Sequence, residues 1–324
     1  MKGKYELEIS NRRMMFHLEI ERSVTVIKGN SGTGKTTLIR MLLGYLEQGK
    51  RSGIRVKTKE NVAFSVFTQL TRWDYEFEQL HETIIFIDES VDYIYTKAFQ
   101  TAFMHSDNYL VIISRSGKFN HLPYAIDGIY EFRTSKQQDM ALTKMYRYYK
   151  TEHVIQDTEL LITEDANAGR QMMENIYDCT VCSAHGNSSV PKTMLAHMTE
   201  SKSMNVLVDG AAYGGYIAKT LDIAALHGNT CIYAPESFEY LLLNTNMYQR
   251  YLNDELERTW DFCDSKEHLT WEQYYIELLN QMSFEHYGFN YSKSRLNEQF
   301  ENDILKNEIK EQLHYVIQQD KEAK

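Results

Sequence analysis

The chain has 324 residues, 43% of them hydrophobic and 25% charged, a composition that excludes a disordered or fibrous protein and predicts a soluble globular one of about two domains. The formal net charge of −10 gives no support for nucleic-acid binding through overall electrostatics. No run of about 18 apolar residues suggests a membrane span, and the first ten residues lack the apolar stretch of a signal peptide, so we expect a cytoplasmic protein with no membrane partner.

Strand and helix patterns alternate over residues 1–136, which we predict to form one domain. Two segments with strand-like alternation, YELEIS and MMFHLEIE, precede the β-branched strand SVTVIKG. A glycine-rich loop and the helical pattern TTLIRMLLGYLEQGK follow. Further strands are expected at GIRVKT, VAFSVF, TIIFIDE, YLVIISR and GIYEFR. Strands separated by helical segments predict an α/β fold with a mainly parallel sheet wrapped by helices.

The loop after the third strand fits the phosphate-binding pattern G-x-x-x-x-G-K-[ST] at every position. Glycines let backbone N–H groups surround phosphates, and the N-terminus of the following helix favours an anion. We expect Lys35 to reach the β- and γ-phosphates of ATP and the Thr36 hydroxyl to ligate Mg²⁺. The residues predicted to contact the nucleotide are Gly29, Asn30, Ser31, Gly32, Thr33, Gly34, Lys35, Thr36 and Thr37.

Two later strands end in polar residues that suit nucleotide hydrolysis. TIIFI is followed by Asp88 and Glu89. Two carboxylates at the end of a buried strand predict a bound cation, because unpaired buried charge is costly. We expect Asp88 to hold Mg²⁺ through water and Glu89 to orient and deprotonate the attacking water. The strand YLVIIS ends at Ser114, a predicted water or phosphate contact if this strand lies between the other two. Arg115 is a predicted charge stabiliser.

These motifs resemble ABC-type ATPases, in which an antiparallel ribbon precedes the strand of the P-loop. The resemblance covers residues 1–135 and includes the late segment AIDGIYEFR. It departs from the family because too few positions separate Lys35 from Asp88 for the helical insert that carries the signature motif. No LSGGQ-like sequence occurs, and Ser114 and Arg115 replace the switch histidine. A transporter-like ATP-sandwich dimer is therefore not expected.

Residues 137–157 are interpreted as a charged helical connection, after which the alternation restarts in a smaller α/β domain over residues 158–245. Its strands are expected at TELLITED, DCTVCSA, MNVLVDG and NTCIYA. Residues 246–324 are interpreted as helical. The last helix is expected to carry an apolar stripe of Leu296, Phe300, Ile304, Ile309, Leu313 and Val316. That stripe is expected to pack on the protein's own core, with the seam of a homo-oligomer as the alternative.

Glu164 and Asp209 each follow an apolar strand of this second part. The order of a strand with a glutamate, a helix, a strand, a helix and a strand with an aspartate resembles a TOPRIM domain. TOPRIM domains hold Mg²⁺ with a glutamate and a D-x-D pair to cut or join phosphodiester bonds, so the resemblance implies that Glu164 and Asp209 are metal ligands. The second aspartate falls at Ala211, so the site is either weakened or completed by another carboxylate such as Asp165 or Glu236. Mg²⁺ accepts water at several positions, so the loss of one carboxylate need not abolish binding.

An ABC-like ATPase followed by a TOPRIM domain is the arrangement of the overcoming-lysogenisation-defect nucleases, which defend bacteria against phages. The whole chain also resembles uncharacterised bacterial ATP-binding proteins that contain the PESFEYLLL element. The first resemblance implies a Mg²⁺-dependent ATPase whose nucleotide state controls a domain that acts on DNA or RNA, in phage defence or DNA maintenance.

Two other functions stay open. A nucleotide-gated binding protein with a non-catalytic second half is favoured by Ala211 and by the acidic net charge. A small-molecule P-loop kinase is disfavoured by Glu89, because a kinase needs no base that activates water.

The pair Cys179 and Cys182 in DCTVCSAHG has no second pair at zinc-finger spacing, and we interpret both as buried, reduced thiols. The following HGNSS segment, which begins at His185, is interpreted as an ordinary turn, with a phosphate-binding loop as the alternative.

Overall fold

A computed structural model describes residues 1–29, 32–88, 90–115, 119, 122–137 and 140–319. The chain divides into two compact units, each with its own sheet. The first comprises Met1–Tyr148 and Arg258–Thr270, and the second comprises Tyr149–Glu257 and Trp271–Lys324. The fold is mixed α/β, with a large, mainly parallel sheet and surrounding helices. None of the helices in the described ranges combines the length and apolarity that a bilayer crossing requires.

Within the described residues, the first unit is built on a sheet of nine strands. Its strands are β1 (Tyr5–Ser10), β2 (Met14–Ile20), β3 (Val24–Lys28), β4 (Arg55–Thr58), β5 (Ala63–Phe67), β6 (Thr83–Ile87), β7 (Tyr109–Ser114), β8 (Ile129–Gln137) and β9 (Met140–Arg147). Its helices are α1 (Lys35–Gln48), α2 (Trp73–Gln79) and α3 (Lys97–Met104). The strand order is β4-β1-β2-β9-β8-β3-β7-β6-β5.

Five neighbouring strands of this sheet, β8-β3-β7-β6-β5, run parallel to one another. Every residue of β6 and β7 is buried, as expected for strands covered on both faces. The hydrophobic core contains Leu38 and Leu42 of α1, which pack with Ile27 of β3. β1 and β2 form an antiparallel pair, as predicted for the N-terminal ribbon. The parallel strands bring their carboxyl ends to one edge of the sheet.

The second unit has a sheet of six strands. They are β10 (Tyr149–His153), β11 (Leu160–Thr163), β12 (Thr180–Ser183), β13 (Met204–Leu207), β14 (Thr230–Tyr233) and β15 (Tyr315–Gln319). Its helices are α4 (Ala168–Ile176), α5 (Val190–His197), α6 (Ile217–His227), α7 (Phe238–Leu243), α8 (Asn246–Gln249), α9 (Trp271–Tyr287) and α10 (Asp303–Gln312). The strand order is β10-β15-β14-β13-β11-β12, and β14, β13, β11 and β12 are parallel.

The prediction of a helical connection over residues 137–157 is wrong. β9 lies in this segment, antiparallel to β8 and parallel to β2, and β10 follows it in the second sheet. The sequence MALTKMYR of β9 consists mostly of residues that also favour a helix. Pairing with strands on both sides, which no local pattern reveals, overrides that preference.

The prediction that a single C-terminal helix carries the apolar stripe is also wrong. α10 ends at Gln312 and β15 follows it, so Val316 lies on a strand, whereas Leu296 and Phe300 precede the helix. Ile304 is 73% exposed, but the other five residues of the stripe are buried in the core of the second unit. Their packing on the protein's own core is therefore as expected, although they come from several elements.

Candidate functional sites

The glycine-rich loop of the first unit joins the end of β3 to the start of α1. Gly32 and Gly34 both have φ of 91°, in the left-handed region that favours glycine. Gly34 immediately precedes α1, and with no side chain it cannot cap the first N–H groups of that helix. Those N–H groups and the positive end of the helix dipole therefore face the loop, where an anion would be stabilised.

Lys35 points back into this loop. Its Nζ donates hydrogen bonds to the carbonyl oxygen of Gly29 at 2.6 Å and to Oγ1 of Thr33 at 3.0 Å, and only 7% of the residue is exposed. Thr36 and Thr37 on the first turn of α1 are exposed. The structure thus places an ammonium group inside the loop and two hydroxyl groups at its rim.

Strand order places Ser114 between the glycine-rich loop and Asp88. β7 lies between β3 and β6, with Ser114 opposite Lys28 and Ile112 opposite Ile87. Ser114 is fully buried and Arg115 is exposed. Since Asp88 directly follows Ile87, the loop, Ser114 and Asp88 all lie at the carboxyl edge of the sheet.

Asp88 is half-buried, and its Oδ2 lies 3.5 Å from the Oγ of Ser90. Asn30 and Ser31 of the predicted nucleotide contacts, and the predicted base Glu89, lie outside the described residues.

The second unit contains an acidic cavity of about 420 Å³. Glu164 and Asp209, the two strand-end carboxylates singled out in the sequence, both line it, and so does His185. Five carboxylates in total, with one lysine, contribute to the lining: Glu164, Asp165, Asp209, Glu239, Glu272 and Lys293. Glu164, Asp165 and Asp209 lie close together because they follow the carboxyl ends of β11 and β13, which are adjacent and parallel.

Asp165 is held by the start of α4. Its Oδ1 accepts a hydrogen bond from the backbone N–H of Asn167 at 3.0 Å, and its Oδ2 accepts one from that of Gly169 at 2.8 Å. A Cβ at residue 169 would lie 2.9 Å from this Oδ2, so glycine leaves room for the carboxylate. Asp165 therefore serves as a helix cap as well as a lining residue.

Glu239, Glu272 and Lys293 were missed as lining residues. Glu239 is fully buried, and its Oε1 accepts a hydrogen bond from the hydroxyl of Tyr291 at 2.7 Å, whereas its Oε2 has no hydrogen-bond partner within the described part of the chain. Lys293 Nζ donates to Oε1 of Glu272 at 2.6 Å and lies 3.8 Å from Oε1 of Glu239. The suggestion that Glu236 completes the site is not supported, because Glu236 does not line the cavity.

Burial and mutual repulsion raise the pKa values of these carboxyl groups. The pKa of Glu164 rises from 4.5 to about 7, mainly through burial and then through the negative charge of Glu272. Burial also raises the pKa of Asp209 and of Glu239. Burial disfavours the charge on Lys293, but the nearby carboxylates outweigh that effect and raise its pKa. The cavity is thus a buried acidic environment that favours protons or other cations.

In this arrangement, no group of three or more histidine, cysteine or acidic side chains among the described residues is placed to hold a metal ion. The donor chemistry nevertheless suits a hard cation, because carboxylate oxygens surround the cavity, and one of them is buried with no partner among the described residues.

Comparisons with family models, with curated proteins and with solved structures found no match to this chain.

Proposed function

We propose that the first unit binds ATP and hydrolyses it in the presence of Mg²⁺. The observation that carries this proposal is the position of Lys35, whose ammonium group lies inside a glycine-rich loop at the N-terminus of a helix. A buried lysine that bonds to a loop carbonyl and a hydroxyl can exchange these partners for phosphate oxygens. Asp88 and Ser114 at the same edge of the sheet support a site for hydrolysis and not for anion binding alone.

Each residue then has a defined task. Backbone N–H groups of the loop and the ammonium of Lys35 bind the β- and γ-phosphates, and Thr37 lies at the rim of the same site. The Thr36 hydroxyl and Asp88 would hold Mg²⁺, which neutralises charge on the phosphates when it is bound. Ser114 would position water or the γ-phosphate. Glu89 would accept the proton of that water, and Arg115 would approach the transferred phosphoryl group.

The test is ATP binding and Mg²⁺-dependent phosphate release by the purified protein. Lys35→Ala is expected to weaken binding of a fluorescent ATP analogue by tenfold or more, whereas Lys50→Ala, an exposed lysine just after α1, is the matched control. Glu89→Gln is expected to retain binding and lose phosphate release. Equal binding by the Lys35 and Lys50 variants would refute the proposal.

For the second unit we propose divalent-cation-dependent chemistry on phosphodiester bonds of DNA or RNA, as in TOPRIM domains. The specific observation is that Glu164 and Asp209 share one cavity with three further carboxylates. These two residues would hold the cation, and Lys293 would offset the charge of a phosphate. The acidic lining makes the cation necessary, because a phosphate would otherwise be repelled.

Plasmid and RNA cleavage with Mg²⁺ or Mn²⁺ tests this second proposal. Glu164→Ala and Asp209→Ala are expected to abolish cleavage, and Asp222→Ala, an exposed carboxylate on α6, is the control. ATP-dependent cleavage would fit a nuclease of the overcoming-lysogenisation-defect type, with a role in phage defence. ATP binding without any cleavage would instead support a nucleotide-gated binding protein, and phosphate transfer to a small molecule would support a kinase.

A further inference from the structure

A second cavity of the second unit, of about 620 Å³, lies beside strand β12. All four residues of β12, Thr180–Ser183, line it. Side chains alternate between the two faces of a strand, so a cavity lined by four consecutive residues extends along the strand's edge. Among the described strands, β12 pairs only with β11. The other edge of β12 is therefore open, with no strand paired to it.

Cys182 of this strand is the first member of a chain of three functional groups. Its Sγ lies 3.9 Å from Nε2 of His197, at the end of α5, and Nδ1 of His197 lies 3.3 Å from Oε2 of Glu200. All three residues line the cavity. A thiol, an imidazole and a carboxylate in this order form the arrangement that activates a cysteine nucleophile.

The direction of the contacts matters for the chemistry. The carboxylate of Glu200 favours the tautomer in which Nδ1 of His197 carries the proton, which leaves Nε2 to accept the proton of the thiol. Glu200 is a positioning residue on this view, because it acts through His197. Arg170, which also lines the cavity, is occupied by Glu174, to which its Nη2 donates at 2.7 Å.

The other three cysteines differ from Cys182. Cys179, three residues earlier, packs against the hydrophobic core, and burial raises its pKa. Cys231 is buried, donates its S–H to Oε1 of Gln156 at 2.9 Å, and also has a pKa raised by burial. Cys263 belongs to the first unit and is buried. Cys179 and Cys182 are both half-buried, so the expectation that the C-x-x-C pair is buried is wrong, and of the two only Cys182 lines the cavity.

We propose that Cys182, His197 and Glu200 form a second catalytic site that hydrolyses acyl bonds of an extended peptide chain seated along the open edge of β12. An edge strand offers unpaired backbone groups that can pair with an extended peptide, which would bring a carbonyl group beside the thiol. Cys182, His197 and Glu200 do not line the acidic cavity, although His185 lines both cavities, and this site is independent of the proposed ATP hydrolysis.

The reaction balances with water as the only co-reactant. Cys182 gives its proton to His197, and its sulfur attacks the carbonyl carbon, so that an S–C bond forms. The bond between that carbon and the leaving group breaks, and the leaving group takes the proton from His197. Water then attacks the thioester while His197 accepts a proton from it. The carboxylic acid leaves, and the thiol recovers its proton.

The first experiment measures release of p-nitrophenolate from p-nitrophenyl acetate and from the p-nitrophenyl ester of N-acetyl-tetra-alanine. We expect a burst of about one equivalent per chain in the wild type and in Cys179→Ser, the matched control, and no burst in Cys182→Ser. The tetra-alanine ester is expected to react at least tenfold faster than the acetate at equal concentration. Equal rates for the two esters would overturn the peptide assignment.

The second experiment follows alkylation of the native protein by iodoacetamide, with each thiol identified by mass spectrometry. Cys182 is expected to react at least tenfold faster than Cys179. His197→Ala should lower the rate at Cys182 by tenfold or more, and added imidazole should restore it in part. Glu200→Gln should lower the rate and Glu200→Asp should retain it. Equal alkylation of the two cysteines, or a rate unaffected by His197→Ala, would overturn the proposal.

Cys182→Ser also separates this proposal from the proposed ATPase. The variant is expected to release phosphate from ATP at the wild-type rate, because Cys182 has no part in the glycine-rich loop. An intact ester burst in Lys35→Ala would show that the thiol site works even where nucleotide binding fails.

Discussion

Replacing Gly210 by alanine tests how closely the chain is packed next to Asp209. A Cβ at residue 210 would lie 2.7 Å from the carbonyl oxygen of Ala234 and 2.8 Å from that of Pro235, both of which are backbone atoms. The two segments are also joined by a hydrogen bond of 2.6 Å from the N–H of Gly210 to the carbonyl of Pro235. The added methyl group therefore has to push two hydrogen-bonded segments apart.

The expected cost follows from these contacts. Overpacking of a tightly packed site costs about 1–3 kcal/mol, and a weakened backbone hydrogen bond adds about 1 kcal/mol. We therefore expect Gly210→Ala to lower the free energy of unfolding of the second unit by about 2–4 kcal/mol. Because Asp209 is adjacent, the same change is expected to displace its carboxylate from the acidic cavity.

Urea unfolding followed by circular dichroism measures this loss, with Gly169→Ala as a comparison in the same unit. A Cβ at residue 169 would meet the Oδ2 of Asp165 at 2.9 Å and the Cγ of Phe238 at 3.3 Å, which are side-chain atoms, so they can shift, although Asp165 would then lose its hydrogen bond to the N–H of residue 169. Alanine is also favoured over glycine within a helix by about 1 kcal/mol. Gly169→Ala should therefore cost less. A Gly210 variant as stable as the wild type, or less affected than the Gly169 variant, would refute the reasoning.

Three further predictions concern the acidic cavity and one buried amide. The raised pKa of Glu164 favours folding below pH 4.5, and this contribution to stability is lost as the pH rises from 4.5 through about 7. Thermal melts should therefore show Glu164→Gln close to the wild type at pH 5 and more stable than the wild type at pH 8, by up to about 3 kcal/mol. A difference in stability that does not change with pH would contradict this. Lys293→Met removes the positive charge beside Glu239 and should destabilise the protein by about 1–3 kcal/mol at pH 8 and by less at pH 5. Lys219→Met, at an exposed lysine on α6, serves as the control in the same urea titrations. Asn108→Ala removes the buried amide that bonds the backbone of residues 83 and 80, and should cost about 1–3 kcal/mol in unfolding of the first unit, with an unchanged midpoint as the contrary result.

The α/β class and the parallel strands of the first unit could be predicted because their sequences carry strong local signals. Thr83–Ile87 and Tyr109–Ser114 are continuous apolar runs, as expected for strands covered on both faces. β9 could not be predicted in the same way. Its residues also favour a helix, and pairing with β8, which directly precedes it, and with β2, far earlier in the chain, determines that it is a strand.

The candidate sites show the same limit. Glu164 and Asp209 could be selected from the sequence because each follows an apolar strand, and parallel strands end at one edge. Glu239 and Glu272 stand in the first turns of helices, where acidic residues are common for electrostatic reasons alone. Lys293 lies in a segment without regular structure. Nothing local in the sequence indicates that these three residues reach the same cavity.

The first unit takes residues 258–270 from far along the chain, and this has a consequence for folding during synthesis. The backbone N–H of Gly3 donates to the carbonyl of Trp260 at 2.6 Å, so Gly3 finds this partner only after the first segment of the second unit has left the ribosome. Domains usually fold in order from the N-terminus as they emerge. Here the first unit cannot complete its folding before residues 258–270 have emerged, and a fragment that ends at residue 148 would lack this part of the unit. Ribosome-bound chains of increasing length should therefore acquire the protease resistance of the complete first unit only once residue 270 has emerged.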